Sequence, residues 1–267
     1  MFSTFTKTFI AVFLFASIAG LSEAQIVRDG LVSYWSFNED SIRGDKVSDL
    51  WGDNHGTLIE DPLEVEGKYG EALEFTGDNH IDIPDSDTLN LTTGEVSVTT
   101  WVLRTGPGET ERGGIVEKGT GGTDNTPLLL REWNAGTVDF EVRSLEATPE
   151  RNWAKMQSDS IALIDDVWVF LAGTFDGQDQ KIYVNAKLDG TLANPGGYAN
   201  NDLMLRIGWD AHAQERHFVG VIDEVAIYDR ALTPNEVEQN MNASLGITSV
   251  DPAGKLSSTW GEIKAGF

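Results

Sequence analysis

The stretch VGVIDEVAIYDRALTPNEVEQN, residues 219–240, decides the fold because a strand pattern in it runs directly into a helix start. Alternate residues from Val219 to Ile227 would share one face of a strand, and all of them except Asp223 are branched and apolar. An ionised aspartate among aliphatic side chains is costly unless it is paired or bound to a cation. The pattern therefore predicts a strand over 217–228 and leaves the role of Asp223 to be explained.

The second half of this stretch has the signals of a helix N-terminus. Thr233 is a favourable N-cap, Pro234 suits the first helical position, and Glu236 stands three residues after the cap. The sequence predicts one short helix over 234–244, which ends near Gly246.

The rest of the chain consists of short alternating runs separated by Gly, Asp, Asn and Pro, which is typical of an antiparallel sandwich or barrel. Both faces of 167–175 are apolar, so this strand is expected in the middle of a sheet, and Asp176-Gly177 is expected to form a hairpin turn after it. The other predicted strands are 31–37, 71–76, 80–83, 96–105, 113–118, 127–133, 137–144, 181–187 and 203–209.

The two ends of the chain differ from this pattern. Residues 1–24 have a single cationic residue, an apolar run of about a dozen residues and small residues before position 25, which predicts a signal peptide cleaved after Ala24. That run is too short for an ordinary membrane span, and no other long apolar segment follows, so the mature chain is expected to be secreted or at the cell surface. One domain over 25–245 and a tail over 246–267 are predicted.

Charge and cysteine content narrow the function classes. The formal net charge is −24 and the chain has no cysteine. Such acidity argues against nucleic acid and anionic membranes as partners, and it attracts divalent cations. Without disulfides, a secreted domain must rely on a large core, with or without bound metal.

Two motifs identify a family resemblance. The segments GKYGEALEFTGDNHIDIPDSDTLNLTTGEVSVTTWV (67–102) and FVGVIDEVAIYDRALTPNEVEQN (218–240) resemble the laminin-G-like domains of the concanavalin A-like superfamily, as LVSYWSFNED (31–40) does more weakly. The resemblance implies an all-β, two-sheet antiparallel jellyroll sandwich with one short C-terminal helix, and usually a structural calcium ion. It does not fix a ligand, since the family includes glycan binders, adhesion modules and accessory domains of enzymes.

Three explanations of Asp223 remain open from the sequence. A bulge near Gly220 would turn it to water, or an arginine would pair with it, or it would ligate a hard cation through oxygen. The arginines considered are Arg28, Arg206 and Arg216. The neighbouring acid Glu224 is expected on the opposite strand face.

The resemblance favours the calcium explanation, because it makes the first and last strands neighbours. Trp35, Phe37 and Glu39 would then share a face that ends in an acid close to Asp223. Asp78 and Asp49 are further expected ligands. The position of Asp49 is the weakest of these, because the family's Asp-x-Ser-Gly-Asn run is replaced here by Asp-Leu-Trp-Gly-Asp.

An active site is not evident in the sequence. Hydrolases of this fold often carry Glu-x-Asp-x-(x)-Glu on one strand, and residues 138–146 offer only Asp139 and Glu141 of that pattern. No nucleophile elbow, phosphate loop or dinucleotide fingerprint occurs. The chain is therefore expected to be non-catalytic, with a glycoside hydrolase of the same fold as the alternative.

Aromatic residues near strand ends and in loops suggest a binding function instead. Trp133, Trp153, Tyr198 and Trp209 lie in such positions, and 145–160 and 188–202 are longer than hairpins need. The expected ligand residues are Trp153, Trp209 and Tyr198. The sequence thus predicts a calcium-stabilised module that binds a polysaccharide or a cell-surface or extracellular partner, with a purely structural surface module as the other possibility.

Overall fold

A computed structural model of the chain describes residues 25–107, 112–119, 126–134, 136–143, 145, 155–213 and 215–243. The expected signal peptide 1–24 and the expected tail 246–267 lie outside these residues. The described chain is built from seventeen β-strands and one short α-helix, with two 3-10 turns at Glu39–Ser41 and Asp87–Leu89.

The strands are numbered in chain order. They are β1 (Leu31–Trp35), β2 (Ile42–Arg43), β3 (Lys46–Val47), β4 (Gly56–Ile59), β5 (Leu63–Glu66), β6 (Glu71–Thr76), β7 (His80–Ile83), β8 (Val96–Arg104), β9 (Gly114–Lys118), β10 (Leu128–Trp133), β11 (Thr137–Val142), β12 (Lys155–Gln157), β13 (Trp168–Phe175), β14 (Asp179–Val184), β15 (Lys187–Ala193), β16 (Leu205–Ile207) and β17 (Val219–Tyr228). The helix α1 spans Pro234–Met241.

The strands form two antiparallel sheets, which confirms the expected sandwich. The first has the order β15-β14-β13-β8-β17-β6-β5, with β1 also paired to β17, and the second has the order β12-β11-β10-β9-β16-β7-β4-β3-β2. The first and last strands are neighbours, as the resemblance implied. Strand β13 lies inside its sheet and buries both faces, and β13 joins β14 through the turn at Asp176-Gly177, as the apolar pattern predicted.

The chain buries apolar side chains in two layers. The main core lies between the sheets and contains Trp35, Phe75, Phe140 and Ile222. A second layer lies on the other face of the first sheet, where Tyr34, Trp101, Phe170 and Tyr228 pack with Val237 of α1. Alternation along a strand explains this, because successive residues of β13 and β17 serve different layers.

The helix begins at the predicted residue. The Thr233 hydroxyl accepts a hydrogen bond from the backbone N–H of Glu236, and the Glu236 carboxylate accepts one from the backbone N–H of Thr233 at 2.8 Å. This reciprocal cap satisfies two backbone donors at a helix end. The helix ends at Met241, three residues before the predicted end.

Six strands were not predicted, and most of them are short or polar. They are β2, β3, β4, β5, β12 and β15. The stretch 188–202, for which no strand was predicted, contains most of β15, which pairs with β14 along an edge of the first sheet. Its side chains are largely exposed, so no alternation of apolar residues marks it.

Candidate functional site

A β-bulge at Glu224 decides where the central acids of β17 point. Glu224 has a φ of 56°, and the pairing of β17 with β8 shifts register between Asp223 and Ala226. Before the bulge Asp223 lies opposite Trp101 on the second-layer side, and after it Val225 and Ile227 lie in the main core. The assumption that Asp223 shares a face with Val225 is therefore wrong, because the extra residue reverses the alternation.

Asp223 uses its carboxylate to hold a loop. Its side chain has 0% of its surface exposed, and its Oδ2 accepts hydrogen bonds from the backbone N–H groups of Lys68 at 2.8 Å and Tyr69 at 3.1 Å. The bulge expected near Gly220 occurs at Glu224 and does not turn Asp223 to water. No arginine of the described residues pairs with Asp223, since Arg206 pairs with Asp82 and Arg216 with Asp210.

Glu224 is the buried acid that the sequence argument placed on the wrong face. It is 5% exposed, and its Oε2 accepts a hydrogen bond from the hydroxyl of Tyr34, a second-layer residue. Desolvation raises the pKa of Asp223 to about 7. Desolvation and then repulsion from Asp223 raise the pKa of Glu224 to about 9. The sequence does contain a signal for this arrangement, namely two consecutive acids within an apolar strand. A bulge between them can bring both side chains to one side of the sheet.

The other predicted calcium ligands do not join this pair. Glu39 is exposed in a 3-10 turn, because β1 ends at Trp35 and Phe37 has a φ of 58°. Asp78 is exposed and accepts a hydrogen bond from the hydroxyl of Thr76 at 3.0 Å. Asp49 is buried, but its two oxygens accept four backbone N–H bonds that shape its own loop.

The free oxygens of the acid pair test whether a calcium ion fits here. Asp223 Oδ1 and Glu224 Oε1 are buried and accept no hydrogen bond within the described part of the chain. Buried carboxylate oxygens with open lone pairs suit a hard cation. The part of the chain that the structure describes contains no group of three or more His, Cys, Asp or Glu that could hold a metal. The further oxygen ligands of a calcium ion here would therefore have to be backbone carbonyls, amides or water.

A second polar site lies on the second sheet. We call the surface of this sheet that points away from the main core the outer face. Leu128 and Leu130 of β10 point into the main core, and Arg131, the next residue along the strand, lies on the outer face. Arg131 bonds Glu141 at 2.6 Å, Asp210 at 2.8 Å and Asp139 at 3.3 Å, and Asp210 also bonds Arg216 at 3.2 Å. These five residues are called the Arg131 cluster.

The Arg131 cluster holds its charges in fixed places. Burial acts to lower the pKa of Arg131, but the neighbouring carboxylates, Glu141 foremost, outweigh it and raise the pKa above its usual value. Arg131 and Asp139 face each other in register on β10 and β11. Because guanidinium and carboxylate groups share short bonds, each is restricted to one orientation.

Glu117 is a buried acid of the outer face with a raised pKa. It is 0% exposed, and burial, followed by repulsion from Asp210, raises its pKa to about 7. Its carboxylate accepts hydrogen bonds from the backbone N–H of Ala211 at 2.6 Å and the hydroxyl of Thr126 at 3.2 Å. The sequence argument missed this residue because Glu117 stands alone on its strand.

The structure describes two of the three predicted aromatic ligand residues, Trp209 and Tyr198. Trp209 is half-buried, stacks on His217 at 5.1 Å between ring centroids, and donates its indole N–H to the backbone oxygen of Ala213 at 3.1 Å. Tyr198 is 3% exposed and belongs to the main core, which argues against a position on an open rim. Trp153 lies outside the described residues.

Trp133 is the half-buried aromatic residue nearest the Arg131 cluster. The guanidinium of Arg131 lies 4.4 Å from its ring centroid and that of Arg112 lies 4.2 Å away. Trp133 ends β10, opposite Thr137 of β11, so it borders the outer face. An aromatic ring beside fixed charged and hydrogen-bonding groups is an arrangement that suits a polar ligand with apolar C–H faces.

Comparisons with known proteins agree with the geometry. The family model described as the concanavalin A-like lectin/glucanases superfamily, of laminin-G type, matches residues 75–238. A comparison with curated protein sequences finds no significant match. None of the helices in the described residues has the length and apolar character of a membrane span.

Several solved structures share the fold. Domain 4 of AbnA, a GH43 extracellular arabinanase from Geobacillus stearothermophilus in complex with arabinotriose, aligns with a TM-score of 0.59 and 21% identity over 79% of this chain and 98% of that domain. The binding domain of Paraclostridial mosquitocidal protein 1 aligns with a TM-score of 0.58 and 17% identity over 80% of this chain and 52% of that one. Trypanosoma rangeli sialidase aligns with a TM-score of 0.60 and 13% identity over 81% of this chain. The alignment covers only 33% of the sialidase chain.

Proposed function

The chain belongs to the concanavalin A-like lectin/glucanases superfamily, and from that premise we propose that it is a secreted, non-catalytic module that binds carbohydrate on the outer face of its second sheet. The observation that carries the proposal is the Arg131 cluster beside Trp133. The likeness to an arabinanase domain in complex with arabinotriose supports a carbohydrate as the ligand class. The expected secretion supports an extracellular polysaccharide as the source of this carbohydrate ligand.

The geometry of the outer face favours binding over hydrolysis. A glycosidase needs a protonated carboxylic acid and a second carboxylate on either side of the scissile bond. Glu141 Oε1 and Asp139 Oδ2 both accept N–H groups of Arg131, which holds these two carboxylates in an ionised, fixed arrangement. The side chains of Arg131 and Asp139 are buried, and Arg131 holds the carboxylate of Glu141, whose side chain is 16% exposed, in one place. Glu141 is then positioned to accept hydrogen bonds from sugar hydroxyls, and half-buried Trp133 adds aromatic surface beside Arg131.

The hydrolase alternative is favoured by one observation, the raised pKa of Glu117. Glu117 and Glu141 both lie opposite Leu129, on the strands to either side of it. Their Cα atoms are thus two interstrand spacings apart, about 10 Å. Carboxyl groups in glycosidases stand about 5–9.5 Å apart. Because Glu117 is also fully buried, we rank hydrolysis second.

We also propose that calcium stabilises the fold, held by Asp223 and Glu224. Their unpartnered oxygens support the proposal, and bound calcium would supply the positive charge that this acid pair lacks. The pair lies in the second-layer side of the first sheet, so calcium in this position would be structural and would not touch a ligand on the second sheet.

Affinity electrophoresis of the full chain in gels containing neutral polysaccharides tests the binding function. Wild type should be retarded, and Trp133→Ala should lose most of that retardation while it keeps the wild-type melting temperature within a few degrees. Trp209→Ala is the matched control, because its ring is committed to His217 and Ala213. Reducing sugar that accumulates with wild type and not with Glu117→Gln or Glu141→Gln would replace the binding proposal with hydrolysis.

A further inference from the structure

We propose that the groove beside Trp51 is a second saccharide site, specific for neutral sugars, and that its lining combines exposed Trp51 with the acidic residues Asp87 and Asp229. This inference rests on the proposed carbohydrate function and adds a separate site to it. The groove lies where β1, the 49–54 loop, the 3-10 turn at Asp87–Leu89 and the end of β17 meet. It shares no residue with the Arg131 cluster.

The groove has the size and lining of a small-ligand site. Its volume is about 350 Å³, within the range of about 300–1,000 Å³ typical of small-molecule sites. Its apolar walls come from Leu31, Val32 and Trp51, and polar side chains complete the lining. This volume suits a short segment of an oligosaccharide.

Trp51 presents its ring to solvent from a rigid loop. The ring is 42% exposed, an unusual fraction for a large aromatic side chain. The loop is fixed because Asp49 accepts hydrogen bonds from the backbone N–H groups of Trp51 and Gly52, both at 3.0 Å. Gly52 is required at its position, because a Cβ there would lie 2.7 Å from the backbone oxygen of Val32. The indole is therefore pre-positioned and does not need to be ordered by the ligand.

The opposite wall is fastened to the same loop by a buried amide. Asn54 donates to the hydroxyl of Ser33 at 2.7 Å and to that of Thr88 at 2.9 Å, and its side-chain oxygen accepts from Ser86 at 2.5 Å. Asn54 is only 4% exposed, so these bonds are shielded from water. Both walls of the groove are thus held at a fixed separation.

Several polar groups in the groove are available to a ligand. The carboxylates of Asp87 and Asp229 and the hydroxyl of Thr92 have no hydrogen-bond partner among the described residues. The side-chain oxygen of Asn90 accepts from Asn200, which leaves the Asn90 amide N–H₂ group as a donor. Sugar hydroxyls both donate to carboxylates and accept from amides, and their C–H faces pack on an indole.

Charge determines which sugars fit. Two carboxylates in one small groove repel sulfated or uronate-rich chains, and the whole chain carries a formal charge of −24. The guanidinium of exposed Arg28 lies 5.9 Å from the Trp51 ring centroid and does not bond either carboxylate. A neutral saccharide is therefore the class of ligand that matches the charge of the groove.

Trp51 stands where this chain differs from the run that the family resemblance implies. Trp51 lies in the Asp-Leu-Trp-Gly-Asp run, at the point where the chain departs from the Asp-x-Ser-Gly-Asn run of the family it resembles. A serine could help to shape the loop, but it would offer no plane for a sugar ring. Trp51 therefore contributes exposed apolar surface at this point of the loop.

The test compares variants of the full chain in gels containing arabinan, galactan, a mixed-linkage β-glucan or polygalacturonate, the last as an anionic control. Trp51→Ala should weaken retardation at least tenfold in apparent dissociation constant on one of the neutral polymers, with Trp51→Phe intermediate. Glu64→Gln, on exposed β5 and outside the groove, is the matched control and should keep the wild-type retardation. The melting temperature of Trp51→Ala should stay within a few degrees, because the ring is exposed.

Titration of the indole N–H signals by nuclear magnetic resonance separates this inference from the proposed function. Arabinotriose or another neutral trisaccharide at millimolar concentration should shift the Trp51 signal, assigned with Trp51→Phe. If Trp51→Ala retains full retardation and its signal does not move, the inference is overturned while binding at the outer face stands. Retardation that responds to Trp51→Ala only in polygalacturonate contradicts the neutral-sugar assignment. If no polymer is bound but the Trp51 signal shifts, the groove stands and the outer-face function fails.

Discussion

At the scale of single residues, buried carboxyls govern how stability depends on pH. Glu117 is fully buried and faces Asp210 and Arg206, and its pKa is raised to about 7 from an ordinary value near 4.5. A raised pKa in the folded state means that the folded protein holds a proton that the unfolded chain loses. The associated stability is complete below about pH 4.5 and is lost as pH rises through 7.

Glu117→Gln should therefore remove part of the pH dependence of unfolding. A shift of this size corresponds to on the order of 3 kcal/mol between pH 4.5 and pH 8. The glutamine keeps an acceptor for the Ala211 N–H, so the variant should fold. Urea unfolding at several pH values measures the difference, with Glu64→Gln on exposed β5 as the control. An unchanged slope in Glu117→Gln would show that Glu117 titrates normally.

Asp223 carries the calcium prediction. Extracellular calcium sites typically bind at about 0.1–1 mM, and a hundredfold excess over the dissociation constant adds about 2.7 kcal/mol to the free energy of unfolding. Wild type should melt higher in calcium than in chelator, and Asp223→Asn should abolish that difference. Asp78→Ala removes an exposed acid and should keep the calcium response. Identical melting of wild type in both conditions would refute the metal site.

At the scale of elements, the bulge in β17 shows where sequence reasoning stops. Alternation predicted β17 and its neighbours correctly, because core residues recur with period two. It did not predict the extra residue at Glu224, since a non-glycine residue at positive φ leaves no mark on the hydrophobic pattern. Edge strands such as β15 were missed for a related reason, because their side chains are mostly exposed and polar.

The candidate site was less predictable than the fold. The sequence singled out Asp223 but left open whether it points to water, to an arginine or to a cation, and it singled out Trp133 only as one of several aromatics. The Arg131 cluster assembles residues from β10, β11 and the segment after β16. Arg131 and Asp210, for example, are about 80 positions apart in the chain, so their contact leaves no local sequence pattern. Trp51 was passed over as an aromatic because exposure depends on how its loop packs on β1.

The helix α1 offers a test at the same scale. Thr233→Ala removes the hydroxyl that caps the Glu236 N–H and should cost about 1 kcal/mol in the free energy of unfolding. Asn235→Ala, in the exposed first turn of the same helix, should be nearly neutral. Urea denaturation compares the two variants, and equal costs would mean that the capping box contributes nothing.

At the scale of the whole molecule, the two layers of apolar packing account for a domain that folds without disulfides. The main core lies between the sheets, and the second layer is closed by α1 and by residues Ile26 and Val27, which follow the predicted cleavage point directly. Val27 donates its backbone N–H to Asn240 of α1 at 2.8 Å, so the segment just after the predicted cleavage point is part of the fold. The predicted cleavage after Ala24 would leave this contact intact.

Mass spectrometry of the exported protein should find Gln25 or a close neighbour at the amino terminus. Cleavage beyond Val27 would remove second-layer contacts and should lower stability. An intact Met1 on protein recovered outside the cell would contradict the prediction of a cleaved signal peptide, and it would leave the folded domain as described.

The central claim, that this molecule binds carbohydrate without cleaving it, is tested most directly on a glycan array with the intact exported chain, in calcium and in chelator. Binding to neutral oligosaccharides is expected, with dissociation constants in the micromolar to millimolar range, about −8 to −4 kcal/mol. The signal should weaken on Trp133→Ala and Trp51→Ala, and no reducing sugar should accumulate. Absence of any glycan signal from folded wild type would contradict the account.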